Sequence, residues 1–523
     1  MYKWVWNTRD SDRSFRRRAA ATLLAVVVAA AGAGCHPGKH ATSGEGGGAD
    51  RRVEAKATNP PPGLPAALTA GQRLHWSACP APTAAQGDGD APGAGWECAT
   101  MKAPLDYRKP DRDTIGVALI RKRATGPERK RLGSLLLNFG GPGVSGVMGL
   151  PEFEDLFRSL GGRYDLVSFD PRGVGGTIPV TCGAKAFEGS DACKRYSGKF
   201  LPYVGTSHTA RDLDLLRYLL GDEKLHYLGV SYGTELGAVY AHLYPKNVGR
   251  LVLEAPVDPT HDRVQADLSQ VKAVQLAFER FAQHCASSDT DCPTGSDPGQ
   301  ADRRMIALMD KLDKAPADTG GKEKLNGDHV ALAIANYLDL GEDGWAPLTK
   351  ALKQVVEQGS GSLLMRKVYD HEPGARSLQG SASGGNGTSA LVAITCADSN
   401  VRLGLTQYDE KAQQIAEASP VFGKAISGNV YLCYDWPFAG ERTTPEVGAH
   451  GAAPILVVAN TGDPTTPYEG GKRMANALGP GVGVLLTVRA EGHGSYPYVR
   501  CAAKTVDAYL LDGALPENGA TCS

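Results

Sequence analysis

LHYLGVSYGT, residues 225–234, decides the fold. The apolar run 225–230 reads as a buried strand, and Gly229-Val230-Ser231-Tyr232-Gly233, the only GxSxG in the chain, stands where that strand should become a helix. A serine raised on such a turn needs glycine two residues to either side, because a side chain there would collide with the turn itself. With 65 glycines in 523 residues the pattern alone is weak, so its context has to carry the argument.

That context is ordered. Downstream, residues 234–244 are compatible with a helix that Pro245 closes. Upstream, Thr209 can cap a helix over 210–220, where Leu213, Leu216 and Leu220 form an apolar stripe and Gly221 supplies the stop. RLVLEA, residues 250–255, reads as the next strand, short and apolar enough for a parallel sheet covered on both faces. These elements predict an α/β fold class with a mostly parallel central sheet and helices on both faces.

A serine hydroxyl attacks a carbonyl only when a histidine takes its proton, and that histidine needs a carboxylate to fix its tautomer and stabilise its cation. PILVVAN, residues 454–460, looks like a late strand leading into Thr461, Gly462 and Asp463. The run 484–488 leads into Glu491-Gly492-His493-Gly494, and His493 is the only histidine after Asp463. The order Ser231, Asp463, His493 is the order of an α/β-hydrolase triad. An oxyanion hole requires two backbone amides at the developing charge, each worth about 3 kcal/mol of barrier stabilisation. SLLLN, residues 134–138, runs into Gly140, Gly141, Pro142 and Gly143. One donor is assigned to the amide of Gly141, with Gly140 as fallback, and the other to Tyr232.

NFGGPGVSG (138–146), YDLVSFDPRGVGGT (164–177), LGVSYGT (228–234), AITCADS (393–399), NTGDPTTP (460–467) and EGHG (491–494) together resemble the exported tripeptidyl aminopeptidases, α/β-hydrolase serine peptidases related to prolyl aminopeptidase. The resemblance spans most of the mature chain. Where that family usually has NPGGPGGSG this chain has Phe139 and Val144, and Thr177 replaces a common serine. The resemblance implies a peptide substrate and release of short peptides, tripeptides among them, from a free N-terminus. In FDPRG, Asp170 and Arg172 are expected to form a structural turn and ion pair behind the site.

The N-terminus reads as an export signal over 1–34: Arg13, Arg16, Arg17 and Arg18 precede an apolar stretch from Ala19 to Ala33 that is short for a membrane span. Ala31-Gly32-Ala33 fits ordinary cleavage, whereas Ala33-Gly34-Cys35 resembles a lipoprotein box, so both a soluble secreted form and attachment to the outer face of the membrane through a lipid on Cys35 stay open. Reserving Cys35 from the 11 cysteines leaves ten, which an oxidising compartment can pair. Neighbour pairing, one of many connectivities the spacing permits, joins Cys79 with Cys98, Cys182 with Cys193, Cys285 with Cys292, Cys396 with Cys433, and Cys501 with Cys522. No CxxC pair or Cys/His cluster points to zinc, and neither a metal nor a cofactor is assigned.

Residues 35–72 read as a flexible tether, 73–259 as the first part of the hydrolase core, 260–450 as the cap, and 451–523 as the second part, holding Asp463 and His493. Within the cap, 262–285, 302–313, 329–337 and 408–418 carry helical spacing, and 374–387 is a Gly/Ser-rich loop. A formal net charge of −1 gives no reason to expect nucleic acid as a partner. The basic cluster RKRATGPERKR, 121–131, reads as a solvated hairpin loop. A free α-ammonium calls for a carboxylate at a fixed distance from the scissile bond; Asp258, Glu235 and Asp435 are the candidates. Two other functions remain open, a carboxylic-ester hydrolase using the same triad and a non-catalytic surface lipoprotein whose cap is a binding module.

Overall fold

A computed structural model describes residues 57–183, 190–288, 291–369 and 385–523. The export signal, Cys35 and most of the 374–387 loop lie outside the described residues. Ten strands form one sheet: β1 (Ser77–Ala78), β2 (Trp96–Pro104), β3 (Thr114–Lys122), β4 (Gly133–Asn138), β5 (Tyr164–Phe169), β6 (Leu225–Val230), β7 (Val248–Glu254), β8 (Ile455–Gly462), β9 (Gly483–Glu491) and β10 (Ala520–Cys522). Their order is β1-β2-β3-β5-β4-β6-β7-β8-β9-β10. The three pairings from β1 to β5 are antiparallel, and every later one is parallel. Every residue of β4 and β5 is buried, because helices cover both faces of the sheet.

The chain passes from β4 outward to β5, then returns to the other side of β4 as β6. Strand order therefore reverses between β4 and β6, and a crevice opens at the carboxyl ends of strands at such a reversal. Asn138 ends β4 and Val230 ends β6, so the glycine-rich loop after one strand and the GxSxG turn after the other are neighbours at that crevice. The topology is that of an α/β-hydrolase.

Between β7 and β8 the chain leaves the sheet. Helices Arg263–Ser288, Ala301–Lys314, Gly327–Leu338, Glu342–Gln358, Ser362–Tyr369, Gly387–Asp398 and Leu405–Ala418 lie in this insertion. Most of it is organised around its own apolar cluster, with Phe278, Phe281, Ile334, Leu352 and Phe422 at its centre. The sheet is packed by a separate cluster that includes Leu136, Val167, Leu213, Tyr227 and Leu251. Gly387–Asp398 is an exception. It packs with Val180, Leu201 and Tyr232 in a third cluster beside the GxSxG turn. Disulfides join the five neighbour pairs, Cys79–Cys98, Cys182–Cys193, Cys285–Cys292, Cys396–Cys433 and Cys501–Cys522, a set suited to an oxidising compartment.

Several local readings need correction. The tether is shorter than 35–72: Ala57, Leu68, Thr69 and Gln72 are buried, and Arg217 holds the Asn59 side chain and backbone carbonyl. The helix expected from Thr209 begins one turn earlier, at Thr206 with Gly205 as N-cap, because the Asp398 carboxylate accepts from Thr206 N and Oγ1, both at 2.6 Å. The cluster 121–131 is not a hairpin loop. β5 inserts between β3 and β4, so the segment is a crossover, and Arg121 is buried against the Trp76 ring and paired with Glu97.

Asp170 and Arg172 do not pair with each other. Asp170 accepts from Gln86, Ser145 and the amides of Val147 and Gly176, and so knits the loops around it. Arg172, fully buried, grips both Asp212 oxygens at 2.6 and 2.8 Å and the carbonyls of Pro104, Leu105 and Tyr203. Arg172→Ala would leave Asp212 buried without its cation, so it should cost about 3–5 kcal/mol, measured by denaturant unfolding. Replacing both partners with apolar residues of similar volume should recover most of that loss.

Candidate active site

Ser231 sits at φ 58° and ψ −123°, a conformation that non-glycine residues rarely adopt. Its neighbours permit it. A Cβ on Gly229 would lie 2.3 Å from Gly233 O, and one on Gly233 would lie 2.7 Å from Asn138 Oδ1, so both glycines are required by space as well as by turn geometry. Ser231 N donates to Glu254 O at 3.0 Å, and Thr234 Oγ1 donates to Ser231 O at 2.6 Å. The backbone is thus fixed, whereas the buried Ser231 Oγ makes no hydrogen bond among the described residues.

Asp463 follows the last residue of β8. Its carboxylate accepts from Thr465 N at 2.8 Å, Thr466 N at 2.7 Å and Thr466 Oγ1 at 2.9 Å, and His493 Nδ1 lies 3.0 Å from both of its oxygens. That contact puts the imidazole proton on Nδ1 and leaves Nε2 as an acceptor. Nε2 is buried and, like Ser231 Oγ, without a partner among the described residues. Burial opposes the imidazolium, but the field and hydrogen bond of Asp463, with Asp339 and Glu254 beyond it, outweigh burial and hold His493 above its ordinary pKa.

The structure thus joins Asp463 to His493 and brings Ser231 to the same site through shared neighbours. Thr466 lines the cleft with Ser231 while touching both Asp463 and His493. Glu254 accepts from Ser231 N with its carbonyl and from Ser495 and Tyr496 with its side chain.

The glycine loop packs onto the turn. A Cβ on Gly140 would lie 2.6 Å from Val230 O and 3.1 Å from Ser231 Cβ. Gly140 N donates to Asn138 Oδ1 at 3.0 Å, which removes it as the fallback oxyanion donor. Gly141 lines the cleft beside Ser231 and Tyr232. Tyr232 opens the helix Tyr232–Leu243, whose first amides have no partner within the helix.

The cleft has a volume of about 390 Å³, within the range that binds small ligands and short peptides. Asp258 and Glu235 line it, but Asp435 is exposed and lies apart. Asp258 is already paired: Arg473 Nε lies at 2.6 Å and His261 Nδ1 at 3.2 Å. Although burial works against it, Arg473, Thr260 and His261 hold its carboxyl below the ordinary range. Glu235 has no ion pair among the described residues, and burial pushes it up to about 7.

Asp398, from the AITCADS segment, also lines the cleft, and the candidates drawn from sequence did not include it. Burial first, and Glu235 second, raise its carboxyl well above the ordinary range. Thr206 Oγ1 donates to Asp398 Oδ2 and contacts Tyr232 OH, each at 2.6 Å, so Asp398 is tied to the helix that follows Ser231. Its signal was the motif AITCADS itself, a polar end on an otherwise largely apolar stretch.

Residues 419–522 match the family described as TAP-like protein. Serine protease Hip1 of Mycobacterium tuberculosis is 34% identical over 500 residues, covering 86% of this chain and 91% of that one. Tripeptidyl aminopeptidase of Streptomyces coelicolor is 30% identical over 458 residues, covering 82% and 83%. Carboxylesterase B of M. tuberculosis is 30% identical over 463 residues, covering 82% and 86%. Identity sustained over so much of both chains, on a sheet that reverses at a GxSxG turn, makes this protein a member of the α/β-hydrolase family of serine peptidases that contains Hip1 and the tripeptidyl aminopeptidases.

Proposed function

We propose that this protein is a serine exopeptidase that releases short peptides, tripeptides foremost, from free N-termini. Ser231 Oγ attacks the scissile carbonyl as His493 Nε2 takes its proton, and Asp463 holds the imidazole and stabilises its cation. The amides of Gly141 and Tyr232 receive the oxyanion. His493 then protonates the leaving amine, and water, deprotonated by the same nitrogen, releases the peptide from the acyl-enzyme.

One observation carries the exopeptidase reading: Glu235 and Asp398 line the cleft of Ser231 and neither is paired with a cation among the described residues, the arginines of the cleft, Arg263 and Arg442, being engaged by Asp267 and Glu446. Two neighbouring half-buried carboxyls resist ionising together, and an arriving α-ammonium supplies the charge that offsets them. Binding of a free N-terminus should therefore strengthen as pH rises through about 7, where Glu235 ionises. It should weaken again near pH ~8, where a peptide α-amino group loses its proton.

A ladder of mono-, di- and tripeptide anilides, free and N-acetylated, tests this with wild type and Glu235→Gln. The variant should raise KM for the free tripeptide roughly 10- to 100-fold, the worth of a charge-assisted hydrogen bond, and leave the acetylated series unchanged. Equal rates on free and acetylated peptides would remove the exopeptidase reading. The relative named Carboxylesterase B gives reason to run simple esters beside the ladder. Faster turnover of esters than of every peptide would favour ester hydrolysis.

Export follows the same line of argument. Five disulfides use all ten cysteines after residue 35, which leaves Cys35 for a lipid. The mass of the mature N-terminal peptide should carry a diacylglyceryl group on Cys35; an unmodified N-terminus starting elsewhere would mark a soluble secreted form.

A further inference from the structure

The loop that carries His493 is held by the cap as well as by the sheet. Asp339 follows the cap helix Gly327–Leu338 and is buried. His493 N donates to Asp339 O at 2.8 Å. Thr465 Oγ1 donates to both Asp339 carboxylate oxygens, at 2.8 and 2.9 Å, while Thr465 N donates to Asp463. Asp339 thus grips the histidine by its backbone and the acid's loop by its side chain.

Two further contacts reinforce the grip. A Cβ on Gly492 would lie 2.6 Å from Gly341 N and 2.8 Å from Asp339 O, and one on Gly341 would lie 2.4 Å from Glu491 O, so the two loops interlock through paired glycines. Arg280, on the cap helix Arg263–Ser288, donates to both Glu491 oxygens at 3.0 and 3.1 Å.

We propose that Asp339 is a positioning residue of the triad, through which the cap sets the orientation and proton affinity of His493. The proposal rests on the triad assignment above but not on the peptide specificity. His493 must keep one orientation while it takes a proton from serine and returns it to the leaving group, and a displacement of about 1 Å costs on the order of a hundredfold in rate. The charged groups facing this pair are Asp463 and Glu254 from the core, with Lys367 from the cap on the Asp339 side. Burial raises Asp339 to about 7, and His493 works against that rise, so each group steadies the charge of the other.

Asp339→Asn keeps the size of the side chain and its acceptor for Thr465 while removing the charge. Its kcat should fall roughly 10- to 100-fold with KM within about twofold of wild type. The acidic limb of kcat/KM should move to lower pH, because a group that favours the imidazolium has been removed. Labelling by a fluorophosphonate, which needs Ser231 and His493 but no peptide, should slow in parallel, so a failure of the peptide reading would not be mistaken for a failure of this one. Asp339→Glu should recover part of the rate and the limb. Thr465→Val should slow kcat in the same sense while leaving the thermal midpoint within a few degrees. A wild-type pH profile and labelling rate in a folded Asp339→Asn, or a loss confined to KM, would overturn the proposal.

Discussion

Ser231→Ala should lower kcat by about a millionfold while leaving the fold intact, because a triad loses nearly all its advantage when its nucleophile is removed. Loss of the hydroxyl breaks no hydrogen bond among the described residues, since Ser231 Oγ has none, and the turn is fixed by the backbone through Glu254 O and Thr234. Alanine would face the same left-handed backbone conformation as serine does, so the substitution adds no strain. Thermal unfolding should therefore match wild type within about a degree or two, and tripeptide binding, followed by equilibrium dialysis with an uncleaved substrate, should be unchanged. A folded Ser231→Ala variant that kept more than a small part of the rate would place the nucleophile elsewhere.

Asp463→Asn is expected to cost about ten thousandfold in kcat, the effect of presenting an imidazole with the wrong tautomer. The asparagine carbonyl can still accept from the Thr465 and Thr466 amides, which directs its NH2 group at His493 Nδ1. The proton is then driven to Nε2, the atom that has to accept from Ser231. His493 would also lose the partner that does most to offset its burial, so its pKa should fall and the residual activity should persist to lower pH than in wild type. The contrast with Asp339→Asn is informative. The direct partner of the imidazole should cost at least a hundredfold more than the cap residue that stands behind it.

What could be read from sequence followed from locality. The nucleophile turn was legible because strand, glycine, serine, glycine and helix occupy ten consecutive residues, and chain order alone singled out Asp463 and His493. The hairpin reading of 121–131 failed because a local pattern cannot reveal that β5, some 40 residues later, slips between β3 and β4. The start of the Thr206–Leu219 helix was misplaced for a similar reason: its N-terminal amide is met by Asp398, 192 positions away. Asp258 looked as available as Glu235, yet Arg473 reaches it from 215 positions away, while Glu235 meets no cation among the described residues. Asp339 drew no attention, because its hydrogen bonds to Thr465 and His493 exist only once the cap is docked.

One measurement bears most directly on a serine nucleophile serving a cleft that reads free N-termini. The mature protein is treated with a fluorophosphonate, with and without an excess of a free or an N-acetylated tripeptide amide, and the adduct is located by peptide mass spectrometry. The expected result is a single adduct on Ser231, absent from Ser231→Ala, suppressed by the free tripeptide amide and little affected by its acetylated counterpart. An adduct on another residue, or equal protection by both peptides, would contradict the account.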